Sequence, residues 1–128
     1  MRLPIYGKPL MVAIERIAEA ALAGEGLLLR SLTQDFLRQQ TDLSACPKPQ
    51  TNDARVLVTA AALLELFASR AHQPAPAWTG EVGALAEPVH LLKAAATMKR
   101  LRVLCETEAP LPLRQRGLYA PPNYLEFV

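Results

Sequence analysis

The segment Arg55–Ala71 constrains the fold more than any other part of the sequence. Its apolar side chains fall on two adjacent stripes at helical spacing: Val56, Ala60, Leu63 and Phe67, and Leu57, Ala61, Leu64, Ala68 and Ala71. A helix that is apolar around most of its circumference is usually surrounded by other elements. We therefore predict that this segment is a helix in the middle of a bundle and that it supplies most of the core.

Two further helices are predicted before it. Leu10–Leu22 has helical spacing, with Pro9 suited to its first turn and Gly24 suited to cap its end. A second helix is predicted to end at about Gln40, because Leu28, Leu32 and Phe36, with Leu37 as a further candidate, continue at helical spacing. A loop follows, and Thr51, Asn52 and Asp53 are three candidate N-caps for the central helix.

The C-terminal half has weaker patterns. A helix either begins at Pro88 and runs to Glu106, or starts afresh with Thr97 as its cap. Both alternatives include a helix from Met98 to Glu106, and we expect Leu101, Leu104 and Cys105 to face inward. A short helical turn would then end at Gly117. The tail, residues 117–128, contains Tyr119, Tyr124 and Phe127 and is predicted to be extended and docked.

These patterns predict an all-α fold, a single compact domain over residues 1–128 with four or five helices and an extended tail. A chain of 128 residues that is 51% hydrophobic can bury a core of its own. No stretch has the roughly 18 apolar residues of a membrane span. The start lacks the uninterrupted apolar segment of a signal peptide. We expect a cytoplasmic protein that does not insert into membranes, with Cys46 and Cys105 as reduced thiols.

No known catalytic motif occurs in the sequence. It contains no phosphate loop, no dinucleotide fingerprint, no nucleophile elbow and no zinc-protease motif. His72, His90 and Cys105 fit structural roles, and Trp78 is expected to pack over the bundle. We therefore predict a non-enzymatic protein with no catalytic residues, no metal and no cofactor. A hydrolase using Cys46, in an exposed loop, or a histidine remains an alternative.

The positive charge is concentrated between Glu87 and Gly117. Six basic residues lie there: Lys93, Lys99, Arg100, Arg102, Arg114 and Arg116. Against three acidic residues this gives a local excess of three, more than the +2 of the whole chain. One interpretation is a solvated helix face with an Arg102–Glu106 pair. The other is a surface that contacts phosphate or an acidic protein.

Three stretches carry a family resemblance: "PAPAWT" (Pro74–Thr79), "LAEPVHLL" (Leu85–Leu92) and "RLRVLCETEAPLPLRQRGLYAPPNYL" (Arg100–Leu125). Together they resemble small, poorly characterised bacterial proteins often encoded beside nucleotidyltransferase-like genes of the abortive-infection or toxin–antitoxin kind. The resemblance covers residues 56–125. The chain differs from that family at Val89 and His90, where the relatives have aromatic residues, and it stops at Val128, where they continue for a further turn.

The resemblance implies a helical, antitoxin-like accessory protein that binds a nucleotidyltransferase-like partner. Glu108, Arg114, Arg116 and Tyr119 match the family pattern. We assign structural roles to Glu108, Arg114, Trp78 and Gly117, with Glu108 paired to an arginine at the turn. The roles of Arg116 and Tyr119 are left open: each residue fits either a structural role or a contact with the partner.

With Arg116 and Tyr119 counted in, the candidate partner contacts are Arg100, Arg102, Arg116, Tyr119 and Tyr124. The alternative function is a nucleic-acid-binding regulator that uses the basic region 93–116. A homo-oligomer is compatible with either function.

Overall fold

The structure is a computed structural model that describes residues 11–126. Within that range the α-helices are α1 (Ile14–Ala23), α2 (Gly26–Gln39), α3 (Ala54–Arg70), α4 (Lys99–Glu108) and α5 (Leu111–Arg114). Short 3₁₀ helices lie at Leu43–Ala45, Ala77–Glu81 and Lys93–Ala96. Strands β1 (Val89–His90) and β2 (Leu118–Tyr119) form a small parallel sheet, with Val89 opposite Leu118. The predicted mostly helical, compact fold is confirmed.

Helix α3 is the centre of the core, as its sequence predicted. Every residue from Val58 to Leu64 is buried, and so are Leu66, Phe67 and Ala68. The helix packs against α1, α5 and the 3₁₀ helices at 43–45 and 77–81. Of the three candidate caps Asp53 is used, and its carboxylate accepts a hydrogen bond of 2.9 Å from the Arg55 N–H.

Helices α1 and α2 differ from the prediction at their starts and faces. Helix α1 begins at Ile14 rather than Leu10, because Ala13 is extended and the Val12 N–H donates to Gln39 Oε1. Pro9 and Leu10 lie outside the described residues. In α2 the buried positions are Leu29, Thr33 and Phe36, whereas Leu28, one of the apolar residues at helical spacing, is exposed. Gly24 does end α1, with φ 71°.

The segment between positions 88 and 98 is not the long helix that one alternative predicted. Its backbone pairs with the tail instead, since the Val89 N–H donates to the Gly117 carbonyl and the Leu91 N–H to that of Tyr119. These bonds require extended backbone, and only the 3₁₀ turn at Lys93–Ala96 follows them before Met98. The α-helix begins after Met98, which is itself extended and occupies the N-cap of α4. Thr97 is not the cap.

The tail is extended only in part. After β2 the chain turns at Pro121–Glu126, where the Tyr124 N–H donates to the Pro121 carbonyl. Tyr124 and Leu125 are buried against the core, and Arg70 Nη1 donates to the Tyr124 carbonyl at 2.6 Å. Phe127 and Val128 lie outside the described residues. Within residues 11–126 no helix combines the length and apolarity that a membrane span needs.

Candidate functional site

The six basic residues of region 93–116 do not form one basic surface. Three of them donate hydrogen bonds to oxygen atoms of the chain itself: Arg102, Arg114 and Arg116. The other three are exposed on or just before α4: Lys93, Lys99 and Arg100. The sequence therefore overstates the positive charge that this region offers to a partner.

Arg116 is buried, with 7% of its surface exposed. Its Nη1 pairs with Glu65 Oε1 on α3, and its Nη2 donates to the Thr79 carbonyl at 2.7 Å. The assignment of Arg116 to a partner contact is therefore wrong for this structure. Arg116 is placed inside by the short helix α5, which turns it away from the exposed Arg114.

Arg102 and Arg114 bind backbone carbonyls rather than acidic side chains. Arg102 donates from Nε to the Ala95 carbonyl and from Nη2 to the Ala96 carbonyl, both at 3.0 Å. These contacts satisfy the end of the preceding 3₁₀ helix, and they replace the Arg102–Glu106 pair expected from spacing. Arg102 is thus held by the chain instead of reaching outward to a partner.

Arg114 and Glu108 lie near the turn between α4 and α5. Arg114 Nη1 donates to the Thr107 carbonyl at 2.7 Å, at the C-terminal end of α4. Glu108 is exposed, and it makes no ion pair with any residue from 11 to 126. At this turn the structural contact is therefore the hydrogen bond from Arg114 to a backbone carbonyl. The predicted pair of Glu108 with an arginine is absent from the described structure.

The two candidate contact tyrosines are not on an open surface. Tyr124 is 5% exposed, and its hydroxyl is buried without a hydrogen-bond partner in the described structure. Burial raises the pKa of that hydroxyl above its ordinary value. Tyr119 is half-buried, with its ring 5.3 Å from that of His90. The assignment of Tyr124 to a contact face is therefore corrected.

Trp78 and Gly117 connect separate parts of the chain. Trp78 is half-buried against the core, and its indole N–H donates to the Cys46 carbonyl at 2.8 Å. Gly117 has φ 80°, a left-handed conformation that residues with a Cβ resist. Its carbonyl accepts from the Val89 N–H, which aligns the two strands of the sheet.

His90 and Glu106 form a close polar contact that the sequence does not predict. His90 Nε2 lies 2.9 Å from Glu106 Oε2, which ties β1 to α4. The pairing across the small sheet joins distant segments and leaves no periodic pattern in the sequence. His90 Nδ1 is buried and has no hydrogen-bond partner among residues 11–126, so the ring offers no second nitrogen to a substrate at the surface.

Neither cysteine is an exposed nucleophile. Cys46 is 4% exposed, contrary to the expectation of an exposed loop thiol, and Cys105 is fully buried. Burial, with the negative charge of Glu15, raises the Cys46 pKa to about 11. Catalytic thiols have a lowered pKa, so the Cys46 environment is the reverse of what a nucleophile needs.

The outer face of α4 is the most exposed mixed surface among the candidate residues. Lys99, Arg100 and Val103 lie within about 100° of the helix circumference, opposite the buried Cys105. Val103 is 50% exposed and Met98, just before the helix, is 56% exposed. Cys105 is the only buried residue of α4. We call Met98, Lys99, Arg100 and Val103 the α4 face.

The charges of α4 oppose its dipole. A helix favours acidic groups at its N-terminus and basic groups at its C-terminus. Helix α4 has Lys99 and Arg100 in its first turn and Glu106 and Glu108 in its last, and Met98 provides no side-chain cap. Arg114 donates to the Thr107 carbonyl at the C-terminal end, whereas the N-terminal end has no compensating acid. An acidic group docked at the α4 face would interact favourably with both the helix dipole and the basic side chains.

Comparison with protein-family models, with curated proteins and with solved structures gave no match for this chain. Among residues 11–126, no three His, Cys, Asp or Glu side chains come together as a group that could hold a metal ion. The chemistry of the α4 face therefore carries the functional argument.

Proposed function

We propose that this chain is a non-enzymatic accessory protein that binds an acidic surface of a partner protein through the α4 face. The supporting observation is the exposure of Val103 and Met98 beside Lys99 and Arg100, on a helix whose basic N-terminus has no compensating acid. Apolar groups at the centre of such a surface supply affinity, and the flanking charges supply orientation and association rate.

A protein partner fits the α4 face better than a nucleic acid does. Strong phosphate binding needs many free cations, because each neutralised phosphate adds to the salt-dependent affinity. Three of the six basic residues in region 93–116 are already bonded within the chain. The remaining cations accompany exposed apolar side chains, which suits contact with a protein surface.

The resemblance described above narrows the partner class. It supports an antitoxin-like role in which the chain restrains a nucleotidyltransferase-type enzyme encoded alongside it. An enzyme of that class would hold its metal ions with carboxylates, and acidic groups are what the α4 face would recognise. In this proposal the chain supplies no catalytic group and acts by covering its partner.

The test is co-expression with the product of the neighbouring gene, followed by co-purification and a growth assay. The parent chain should co-purify and relieve toxicity. The double variant Lys99→Glu/Arg100→Glu should bind at least about tenfold more weakly, because like charges would then face each other. Arg16→Glu, a reversal of an exposed arginine on α1, is the matched control and should bind as the parent does.

Two results would contradict the proposal. One is a parent chain that neither associates with the neighbouring product nor relieves toxicity. The other is equal weakening by the α4 and Arg16 reversals, which would indicate a general charge effect. A titration with DNA or RNA at several salt concentrations tests the nucleic-acid alternative, since phosphate binding weakens steeply with salt.

A further inference from the structure

Residues 93–109 lie outside the main hydrophobic core of the described structure. The segment comprises the 3₁₀ helix Lys93–Ala96 and α4, and we call it the α4 unit. Its buried side chains are Ala95, Cys105 and Ala109. Within residues 11–126 none of these belongs to the hydrophobic cluster that α1 and α3 build, and the half-buried Leu101 and Leu104 do not pack against that cluster. The α4 unit is therefore buried separately from the core.

The two helices of the α4 unit are bonded to each other. Arg102 on α4 donates to the carbonyls of Ala95 and Ala96, both at 3.0 Å. The Met98 N–H donates to the Ala94 carbonyl at 2.9 Å. Among the helices and strands of the described structure, the 3₁₀ helix is the one against which α4 packs extensively. These contacts make the α4 unit a single body.

Polar contacts with β1 and α5 fasten the α4 unit to the rest of the chain. His90 Nε2 on β1 lies 2.9 Å from Glu106 Oε2, and both side chains are partly exposed to water. Arg114 Nη1 on α5 donates to the Thr107 carbonyl at 2.7 Å. The core residues that flank the unit in the chain are Leu91 and Leu113. The unit is thus a segment with anchored ends and polar fastenings.

We propose that the α4 unit opens as one body while the core around α3 stays folded, and that the contact of His90 with Glu106 is the latch that holds it closed. Local opening requires less free energy where few apolar groups are buried. A helix of ten residues is marginal in water by itself, and the basic first turn of α4 has no capping side chain. Opening therefore unfolds α4 and disperses the α4 face. This opening follows from the packing of the unit, whether or not the α4 face binds a partner.

The first test uses the two cysteines of the unmodified full chain as reporters. Cys105 is 0% exposed in the α4 unit, and Cys46 is 4% exposed in the core cluster. Labelling by iodoacetamide is followed by mass spectrometry at each cysteine, relative to its rate in the urea-unfolded chain. Cys105 should be labelled at least about a hundredfold faster than Cys46, and its rate should rise little with urea below the unfolding transition, because local opening exposes little surface. A Cys105 rate no faster than that of Cys46, or one that rises with urea as steeply as global unfolding does, would overturn the proposal.

The second test measures the latch by hydrogen exchange of the backbone amides. Glu106→Ala should speed exchange in α4 about two- to fivefold and leave α3 unchanged, as expected for the loss of a partly exposed charged contact. Glu108→Ala is the matched control, since it removes the same charge from the same turn but no ion pair with any residue from 11 to 126. Exchange is preferred to labelling here because Glu106 also raises the pKa of the Cys105 thiol, after the larger effect of burial. Equal exchange in the two variants would overturn the latch, and parent α4 amides as slow as those of α3 would overturn the opening.

Discussion

Arg116 and Glu65 join the C-terminal segment to the central helix. Glu65 is the one charged residue between Val56 and Ala68 of α3, and Arg116 pairs with both of its carboxylate oxygens. The same guanidinium also donates to the Thr79 carbonyl at 2.7 Å and to the Val82 carbonyl at 3.2 Å. One side chain therefore holds α3, the loop after the 3₁₀ helix at 77–81, and the tail together.

Replacing Arg116 by alanine should destabilise the protein by about 3–5 kcal/mol, because it leaves the half-buried Glu65 carboxylate and two carbonyls without their donor. Arg116→Lys should recover little of this loss, since an ammonium group cannot span both carboxylate oxygens and the carbonyls. Urea unfolding followed by circular dichroism measures both changes.

The matched control is the double variant Glu65→Leu/Arg116→Met. It removes both charges together, so it should cost clearly less than the sum of the two single replacements. If Arg116→Ala unfolds at the same urea concentration as the parent, the ion pair does not hold the tail in place.

The sequence predicted the helix positions best where the apolar pattern was strong. The predicted bounds of helix α3 were within one residue of the observed ones at each end, because its apolar pattern and the candidate cap Asp53 indicate the same helix. Helix α1 was predicted to start four residues too early, since the contact of Val12 with Gln39 comes from a different helix and leaves no periodic pattern. The pairing of β1 with β2 depends on a two-residue contact between distant segments, so it was missed for the same reason.

The candidate contact residues were harder to predict than the helices. Nothing in their sequence surroundings distinguishes Arg100 from Arg116. In the structure Arg100 is exposed, whereas Arg116 is buried and paired with Glu65. What separates them is the single acidic residue in the middle of an apolar helix. An isolated glutamate in such a helix is typical of a residue that pairs with a cation, but the sequence alone does not say which arginine pairs with Glu65.

Gly117→Ala should destabilise the protein by about 1–2 kcal/mol, because φ at this position is 80° and an L-residue with a Cβ resists that conformation. A new Cβ would meet its nearest atoms at 3.8 Å, so steric overlap does not contribute. Gly83→Ala is the control, since it lies in a loop with open space and an ordinary φ, and it should change stability little. Thermal unfolding of both variants checks the difference, and equal melting temperatures would contradict it.

Met98→Asp should stabilise α4 and weaken partner binding at the same time. An aspartate at the N-cap accepts a hydrogen bond from the first turn and complements the dipole, which contributes about 0.5–2 kcal/mol. The replaced Met98 is 56% exposed, so little packing is lost. The new carboxylate would lie beside Lys99 and Arg100 and compete with an acidic partner. Urea unfolding and co-purification measure the two effects, and a gain in both stability and binding would contradict the proposed role of the α4 face.

Alkaline pH should unfold the protein through its buried thiol. In the unfolded chain Cys46 ionises near 9.0, whereas burial and Glu15 raise its pKa to about 11 in the folded protein. A raised folded pKa means that the full stability is present below the unfolded value and falls as pH rises from 9.0 towards 11. The two-unit difference corresponds to about 3 kcal/mol.

Urea unfolding from neutral pH to pH 11 measures this fall in stability. Cys46→Ala should lower stability at neutral pH through lost packing, but it should flatten the decline above pH 9.0. Burial also raises the pKa of Tyr124, so part of the decline should persist in that variant and decrease further when Tyr124→Phe is added. The phenylalanine should cost little in itself, since the Tyr124 hydroxyl has no hydrogen-bond partner in the described structure. An unchanged decline in the double variant would show that these two groups do not govern alkaline unfolding.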